Sequence, residues 1–469
     1  MWDFGKFRSR NALIDEYGAV LTYEQLEQKG KEIADATAGR CLVFSLCENT
    51  IGSVLGYCAF VNHKIVPVLL NSHLERELLE NLLSAYCPSY LWVPKRHEND
   101  FKGAQTVYEA YGYALLKTNY DRAYPLYEEL CLLLTTSGST GSPKFVRQSY
   151  TNVKVNAESI VEYLKLDETE KPITTLPMNY TYGLSIINSH FLVGATLLVT
   201  DKGLMQKEFW NFFKEQKATS FGGVPYTYEI LDRLRFCRMN LPSLRTMTQA
   251  GGKIVPELHK KLAEYAAENG KNFVVMYGQC EATARMGYLP AEKAIEKCGS
   301  MGIAIPGGEF HLVDVNGEDI SEPFTNGELV YQGANVTLGY AECGEDLIKE
   351  DERNGILQTG DMAQFDTDGY YYIVGRKKRF LKIYGNRVNL DEIDRMIKGK
   401  FGNLECASAG VDDHMYLFVT DASIADEVKK FIVSKTKLNP AAFQALVIDE
   451  IPKNDAGKTL YKELAKYYE

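Results

Sequence analysis

Apolar runs about six residues long alternate along this chain with stretches in which apolar residues recur every three or four positions. "CLVFSL" (41–46), "IVPVLL" (65–70), "SYLWVP" (89–94), "CLLLTT" (131–136), "ATLLVT" (195–200) and "FVVMYG" (273–278) predict buried strands. "YEQLEQKGKEIADAT", "ERELLENLLSAY", "SIVEYLKL" and "ELHKKLAEYAAENG" carry helical spacing and predict amphipathic helices. The alternation predicts an α/β protein with largely parallel sheets. After about residue 300 the texture changes. "FHLVDVNGED", "GELVYQG" and "DMAQFDTDGYYYIVG" predict short strands joined by Asn-Gly and Asp-Gly turns. A smaller α+β unit is expected from about Lys377 to Glu469.

Composition narrows this picture. The chain has 469 residues, 45% of them hydrophobic, with a net charge of −10. That is too apolar for disorder, and long enough for two or three domains around a large core. The first twenty residues show no apolar run followed by a small-residue cleavage site, so no signal peptide is expected. No uninterrupted apolar stretch is long enough to span a membrane. Ten cysteines are scattered without a C-x-x-C pair. Reduced thiols in a cytoplasmic protein are expected, with neither a disulfide scaffold nor a zinc site. An acidic chain is a poor general nucleic-acid binder. From Arg376 onwards, however, 17 Lys and Arg stand against 14 Asp and Glu. This is either compositional drift or a basic module that closes over an anionic substrate.

The densest chemistry lies in "LLLTTSGSTGSPKFVRQS" (132–149). Pro143 breaks the P-loop pattern, and Ser142 with Pro143 breaks G-x-G-x-x-G. Ser137 stands where a G-x-S-x-G elbow centred on Ser139 needs glycine. The physics of phosphate binding is nonetheless present. Gly138 and Gly141 let backbone N–H groups converge, five hydroxyl side chains add donors, and Lys144 adds a positive charge. Taken alone, the segment reads equally well as a polar surface loop.

The remaining motifs decide between these readings. "TTSGSTGSPK" resembles the phosphate loop of the adenylate-forming enzymes: acyl-CoA synthetases, nonribosomal peptide adenylation domains and beetle luciferases. "LTYEQL", "YCAFVNHKIVPVLLN", "LPMNYTYGLS", "YGQCEAT", "GSMGIAIPG", "GELVYQG", "TGD", "GRKKRFLKIYGNRVNLDEID" and "PKNDAGK" resemble further motifs of that family, in family order, over nearly the whole chain. The resemblance implies a large N-terminal domain, residues 1–376. It would have stacked β-sheets with flanking helices and a small β-barrel-like subdomain. A small mobile α+β C-terminal domain, residues 377–469, would follow.

The resemblance also implies roles. Thr136, Ser137, Gly138, Ser139, Thr140, Gly141 and Lys144 would cradle the ATP phosphates. Tyr277 and Gly278 would flank the adenine, and Glu281 would hold Mg²⁺. Asp361 would accept hydrogen bonds from the ribose hydroxyls, with Arg376 nearby. Lys378 would be the pivot of the small domain, and the stretch from Lys382 to Gly385 would face the active site after rotation. Gly385 would let a pantetheine arm pass close to the backbone. Lys458, between a strand-like "LVIDEI" and a helix-like "LYKELAKYY", would stabilise the adenylation transition state. Seen singly, each is an ordinary core tyrosine, turn aspartate or solvated cation.

Several positions depart from the family pattern, among them His63-Lys64, where Gly-Ala is usual. Cys280 replaces the usual threonine of Y-G-x-T-E, either as a structural substitution or as a reactive thiol. Tyr180 stands where histidine is frequent, and Tyr461 where arginine is common. "NYTYGLSII" lacks the aspartate that holds an α-ammonium group, which disfavours an ordinary α-amino acid. Tyr180, Tyr182, Phe221, Gly223, Tyr226, Gly251 and Gly252 are expected to line the acyl pocket. The implied reaction is ATP- and Mg²⁺-dependent activation of a small carboxylic acid. Transfer to CoA, or to the phosphopantetheine of a separate carrier protein, would follow, since no carrier domain comes after the Lys458 helix. The alternatives are a luciferase-like oxidation of an acyl-adenylate and a degenerate, non-catalytic nucleotide-binding partner in a biosynthetic assembly.

Overall fold

All six apolar runs form strands: Leu42–Cys47, Val66–Asn71, Tyr90–Pro94, Leu130–Thr135, Leu197–Val199 and Asn272–Tyr277. These elements come from a computed structural model, which describes residues 1–135, 144–377, 379–384, 386–402, 404–454 and 457–468, without the side chains of residues 380, 386 and 387. The expected phosphate-loop residues Thr136, Ser137, Gly138, Ser139, Thr140 and Gly141 lie outside the described residues. So do the expected pivot Lys378 and the expected thiol-tunnel residue Gly385.

Backbone contacts divide the chain into two units. The first comprises Met1–Cys298, Gly302–Glu309 and Gln332–Leu357, the second Gly299–Met301, Phe310–Tyr331 and Gln358–Glu469. The boundary expected at 376/377 falls within the second unit.

The first unit holds an eight-stranded sheet whose central strands run parallel. Leu130–Thr135 lies beside Val66–Asn71, then Leu42–Cys47, then Tyr90–Pro94. A five-stranded sheet contains the parallel strands Ser220–Gly223, Thr246–Gln249 and Asn272–Tyr277, followed by the antiparallel Gly287–Leu289 and Ile303–Ala304. A three-stranded sheet joins Leu197–Val199 to Asn11–Asp15 and Val20–Thr22.

Alternation along the strands sorts side chains between two cores. Val43 and Cys47 face a cluster that includes Leu13, Leu197, Tyr57, Leu184 and Phe191. Phe44 and Leu46 face Leu79, Leu83 and Tyr86 of helix Arg76–Tyr86 on the other side. Helix Ile51–Asn62 buries eleven of its twelve residues, so it has no polar face and belongs in the layer between the sheets. The fold of this unit is α/β, with stacked sheets and helices between and beside them.

The second unit carries most of a four-stranded sheet formed by Gly308–Val313, Gly327–Gly333, Ile356–Phe365 and Tyr371–Arg376. These strands occupy the place of the expected barrel-like subdomain. A hairpin, Phe380–Ile383 with Asn386–Asn389, leads into helix Leu390–Phe401. Cys406–Val411, His414–Val419 and Phe443–Val447 then form a three-stranded sheet. One face packs on Ile393, Ile397, Val428 and Ile432. The other packs on Ile448, Ile451 and Leu464. All ten cysteines are free thiols. Among the described residues no helix is long and apolar enough to cross a membrane.

Candidate active site

Strand Leu130–Thr135 leads to residues 136–143, and Phe145–Ser149 returns antiparallel, with Thr135 opposite Phe145. Strand Gly339–Ala341 pairs with this return strand, Tyr340 opposite Val146. That register sets the Tyr340 ring under Lys144, whose Nζ lies 3.6 Å from the ring centroid. The Arg353 guanidinium stands 4.6 Å from the same centroid. The Tyr340 hydroxyl donates a 2.8 Å hydrogen bond to Glu281 Oε1. Burial, then the charge of Glu281, pushes this phenol up to about 12, so it stays protonated and remains a donor. The expected phosphate-loop lysine and the expected metal carboxylate thus meet on one tyrosine.

The loop bearing Glu281 is held from both ends. Its entering and leaving strands are antiparallel, with Tyr277 opposite Gly287. Gly278 passes so close to the returning chain that a Cβ there would meet the Ala284 carbonyl oxygen at 1.5 Å. Only glycine fits. The Ala282 and Ala284 amides donate to the Gln279 carbonyl at 3.1 and 3.2 Å, closing the turn. The Glu281 carbonyl accepts from the Thr337 amide, the Thr337 hydroxyl and Arg353 Nη1, each at 3.0 Å. Asn335 Nδ2 donates to the Ala282 and Arg285 carbonyls. Cys280 is buried, and its thiol donates to the Thr135 carbonyl at 3.5 Å, tying this loop to the end of strand Leu130–Thr135. Gln279 Nε2 donates to the Tyr277 hydroxyl at 3.3 Å.

Helix Thr181–Leu192 delivers the expected acyl-pocket aromatics. Tyr180 precedes its first turn, and its ring meets that of Tyr182 edge-on at 6.5 Å. The Tyr182 hydroxyl donates to Thr248 Oγ1 at 2.8 Å, and burial pushes it up to about 12. Gly222 lies against this phenol; a Cβ there would stand 2.9 Å from its oxygen. Phe221 points to the other face of the strand, among Phe213, Tyr228 and Phe236. Gly223 shares that face, against Thr227 and Tyr228. The structure therefore brings Tyr180 and Tyr182 together, with the Gly223 backbone in hydrogen-bond reach of the Tyr182 phenol, and turns Phe221 to the other face. Tyr226 is exposed on helix Pro225–Arg233. Gly251 and Gly252 follow strand Thr246–Gln249, where Gln249 Nε2 donates to the Ala250 and Gly252 carbonyls.

The other expected residues belong to the second unit. Asp361, buried, lies in register with exposed Arg376, Nε to Oδ1 3.5 Å. The Thr359 hydroxyl accepts from the Asp361 amide at 3.1 Å and donates to the Leu329 carbonyl at 2.7 Å. Lys382 sits opposite Arg387 in the hairpin, and its amide donates to Asp412 Oδ1 at 2.7 Å. Lys458 is half-buried in a turn closed by Asn454, whose Oδ1 accepts from the Lys458 amide at 2.9 Å. Nearby, Arg379 stacks on the Tyr461 ring at 3.5 Å and donates to Asp391 and Asp394, each at 2.8 Å. The Tyr461 hydroxyl donates to the same Asp394 oxygen at 3.1 Å. Burial outweighs the guanidinium and lifts the Asp394 carboxyl to about 6.

Tyr340, Arg353, Thr337 and Asn335 are the supports that sequence reasoning missed. They lie more than fifty residues after Glu281, and no spacing rule joins them to it. Among the described residues no group of three or more His, Cys, Asp or Glu is placed to hold a metal ion.

A model of the AMP-binding enzyme family matches residues 2–341. The chain is 28% identical over 355 residues to the oxalate–CoA ligase of Arabidopsis thaliana, covering 72% of this chain and 67% of that protein. It is 27% identical over 421 residues to the 2-succinylbenzoate–CoA ligase of Bacillus pumilus, covering 86% and 82%. The solved O-succinylbenzoate coenzyme A synthetase of Bacillus subtilis, in complex with ATP and magnesium ion, superposes with a TM-score of 0.78 at 23% identity. That superposition covers 97% of this chain and 96% of the other, and establishes the fold. With its ordered motifs, the two-loop site around Tyr340 and a family match over well above half its length, this chain belongs to the AMP-binding enzyme family.

Proposed function

We propose that the protein is an acid–thiol ligase that first makes an acyl-adenylate and then a thioester. The observation that carries this reading is the meeting of Lys144 and Glu281 on Tyr340, beside the mouth of the phosphate loop. A carboxylate is a poor electrophile. In the first step its oxygen attacks the α-phosphorus of ATP, the bond to the β-phosphate bridging oxygen breaks, and pyrophosphate leaves. In the second a thiolate attacks the acyl carbon and AMP leaves, the thiol proton passing to solvent.

The residues divide the work. The phosphate loop with Lys144 binds the β- and γ-phosphates, Tyr277 and Gly278 flank the adenine, and Asp361 with Arg376 holds the ribose. Glu281 fits magnesium: Oε1 takes one hydrogen bond and Oε2 takes none among the described residues, leaving a hard oxygen for a cation that otherwise keeps waters. Magnesium bound there neutralises charge on the phosphates. Lys458 stabilises charge on the α-phosphate as adenylation proceeds. Residues 377–469 then turn about Lys378, bringing Lys382 and Gly385 to the site for the thiol. Relatives named as CoA ligases support CoA as the acceptor. Free cysteines and the need for ATP support a cytoplasmic setting.

Purified protein would be given ATP, Mg²⁺ and a panel of fatty, aryl, hydroxylated and dicarboxylic acids, followed by CoA or a phosphopantetheinylated carrier protein. Acid-dependent pyrophosphate release and then a CoA thioester are expected. Pyrophosphate release with no acid in the panel would refute the reading, and a thioester on the carrier alone would reassign the acceptor.

A further inference from the structure

Three arginines are buried among the described residues, and two have carboxylate partners. Arg147 pairs with Glu352 at 2.6 Å, and Arg379 with Asp391 and Asp394. Arg285, 2% exposed, pairs with none. Its Nε donates to Ser185 Oγ at 3.1 Å and its Nη1 to the Tyr163 hydroxyl at 3.0 Å, beside Met276 Sδ. The guanidinium lies over the Tyr182 ring at 4.7 Å. Nη2 makes no hydrogen bond among the described residues. A buried cation with only neutral ligands is costly, and truncating or pairing it are the usual remedies. Here neither has occurred.

The position of this charge gives it a use. Tyr182 is one of the residues expected to line the acyl pocket, and Ser185 follows it three positions later on the same helix. Tyr163 stacks on Tyr288 at 4.3 Å, fixing the hydroxyl that meets Nη1. His190 is also nearby. Burial, together with the charge of Arg285, pushes it down to about 4, so it is neutral and adds no second cation. One positive charge thus lies over Tyr182, held by Ser185 and Tyr163, with Nη2 unbonded among the described residues.

We propose that Arg285 receives a second carboxylate of the acid substrate, so that the enzyme activates dicarboxylic acids with one carboxylate anchored and the other reacting. The anchor supplies the missing counter-charge only when a diacid is bound. This rests on the proposed ligase activity and on the acyl-pocket expectation for Tyr180 and Tyr182. A site built to bond a polar group rejects the analogue that lacks it by a large factor, so a diacid should exceed its monomethyl ester in kcat/KM by roughly 10²-fold or more.

Diacids of graded length, with their monomethyl esters and length-matched monoacids, would be compared by pyrophosphate release. Wild type should prefer one or more diacids. Arg285→Gln should abolish the preference by raising the diacid KM, with activity on monoacids retained, and Arg285→Lys should keep part of the preference. Wild type favouring monoacids, or Arg285→Gln depressing all acids alike, would overturn the proposal. Should Arg285→Gln fail to fold, thermal shift of wild type with a non-hydrolysable ATP analogue decides the matter: a diacid must stabilise more than its monoester. Should no acid release pyrophosphate, the ligase reading fails, and the same thermal-shift comparison still tests the anchor.

Discussion

Replacing Tyr340 by phenylalanine removes one oxygen and tests the two-loop site directly. The hydroxyl bonds Glu281 Oε1 at 2.8 Å, while the ring carries Lys144 and Arg353. Tyr340→Phe keeps the ring under both cations and deletes the hydroxyl, with its bond to the carboxylate and its polar contact with Arg353. A hydrogen bond to a charged group contributes about 1.5–3 kcal/mol. Glu281 is half-exposed, so water compensates part of this, and about 1–2 kcal/mol remains. If Glu281 holds magnesium, that loss appears as a change of roughly 5- to 30-fold, since about 1.4 kcal/mol is tenfold. Pyrophosphate release titrated with Mg²⁺ should show a higher half-saturating concentration or a lower kcat/KM for ATP by that factor. Tyr340→Leu should lose more, because it also removes the ring under Lys144. A Mg²⁺ titration of Tyr340→Phe that superimposes on wild type would refute the argument, as would equal damage in the two variants.

Gly278→Ala should abolish pyrophosphate release and lower the unfolding temperature, because its Cβ would collide with the Ala284 carbonyl; a normal unfolding temperature would contradict this packing. His190 stays neutral down to about 4, whereas unfolded histidine takes a proton near 6.5, so its contribution is complete above pH 6.5 and is lost as pH falls towards 4. Urea unfolding should therefore show wild type losing up to roughly 3 kcal/mol more than His190→Gln across that window, and parallel pH profiles would refute it. Lys458→Ala should slow adenylation by roughly 10²–10³-fold yet leave thioester formation from supplied acyl-adenylate nearly intact, and equal loss of both half-reactions would refute the assigned role.

Elements with a one-sided or continuous apolar pattern were legible from sequence. Helix Tyr23–Asp35 and strand Leu42–Cys47 appear within a residue or two of expectation. Ile51–Asn62 and Thr181–Leu192 were not legible, because helices buried almost all round have no polar stripe to set a period. In the site, Lys144, Glu281 and Cys280 were singled out from the motifs, and the structure sets Lys144 and Glu281 on Tyr340 and Cys280 against Thr135. The face of Phe221 was hidden because glycines at 222 and 223 erase the alternation that would show which side carries the pocket. Tyr340 and Arg285 were hidden for another reason: what distinguishes them is which groups they touch and which they lack, and neither is written in local spacing.

The stacking of Arg379 on Tyr461 has a bearing on how the protein tolerates change around Tyr461. Tyr461 lies about eighty residues after Arg379, yet it forms one wall of the socket in which that guanidinium sits, with Asp391 and Asp394 as the others. The segment Tyr461–Leu464 thus works as a latch on the residue that follows Lys378. Trimming the chain before Tyr461, or fusing a rigid partner that strains this short helix, would open the socket and leave a buried aspartate and arginine half-solvated at the root of the hairpin. Tagging and truncation strategies for this enzyme should therefore treat Tyr461–Leu464 as part of the hairpin's foundation.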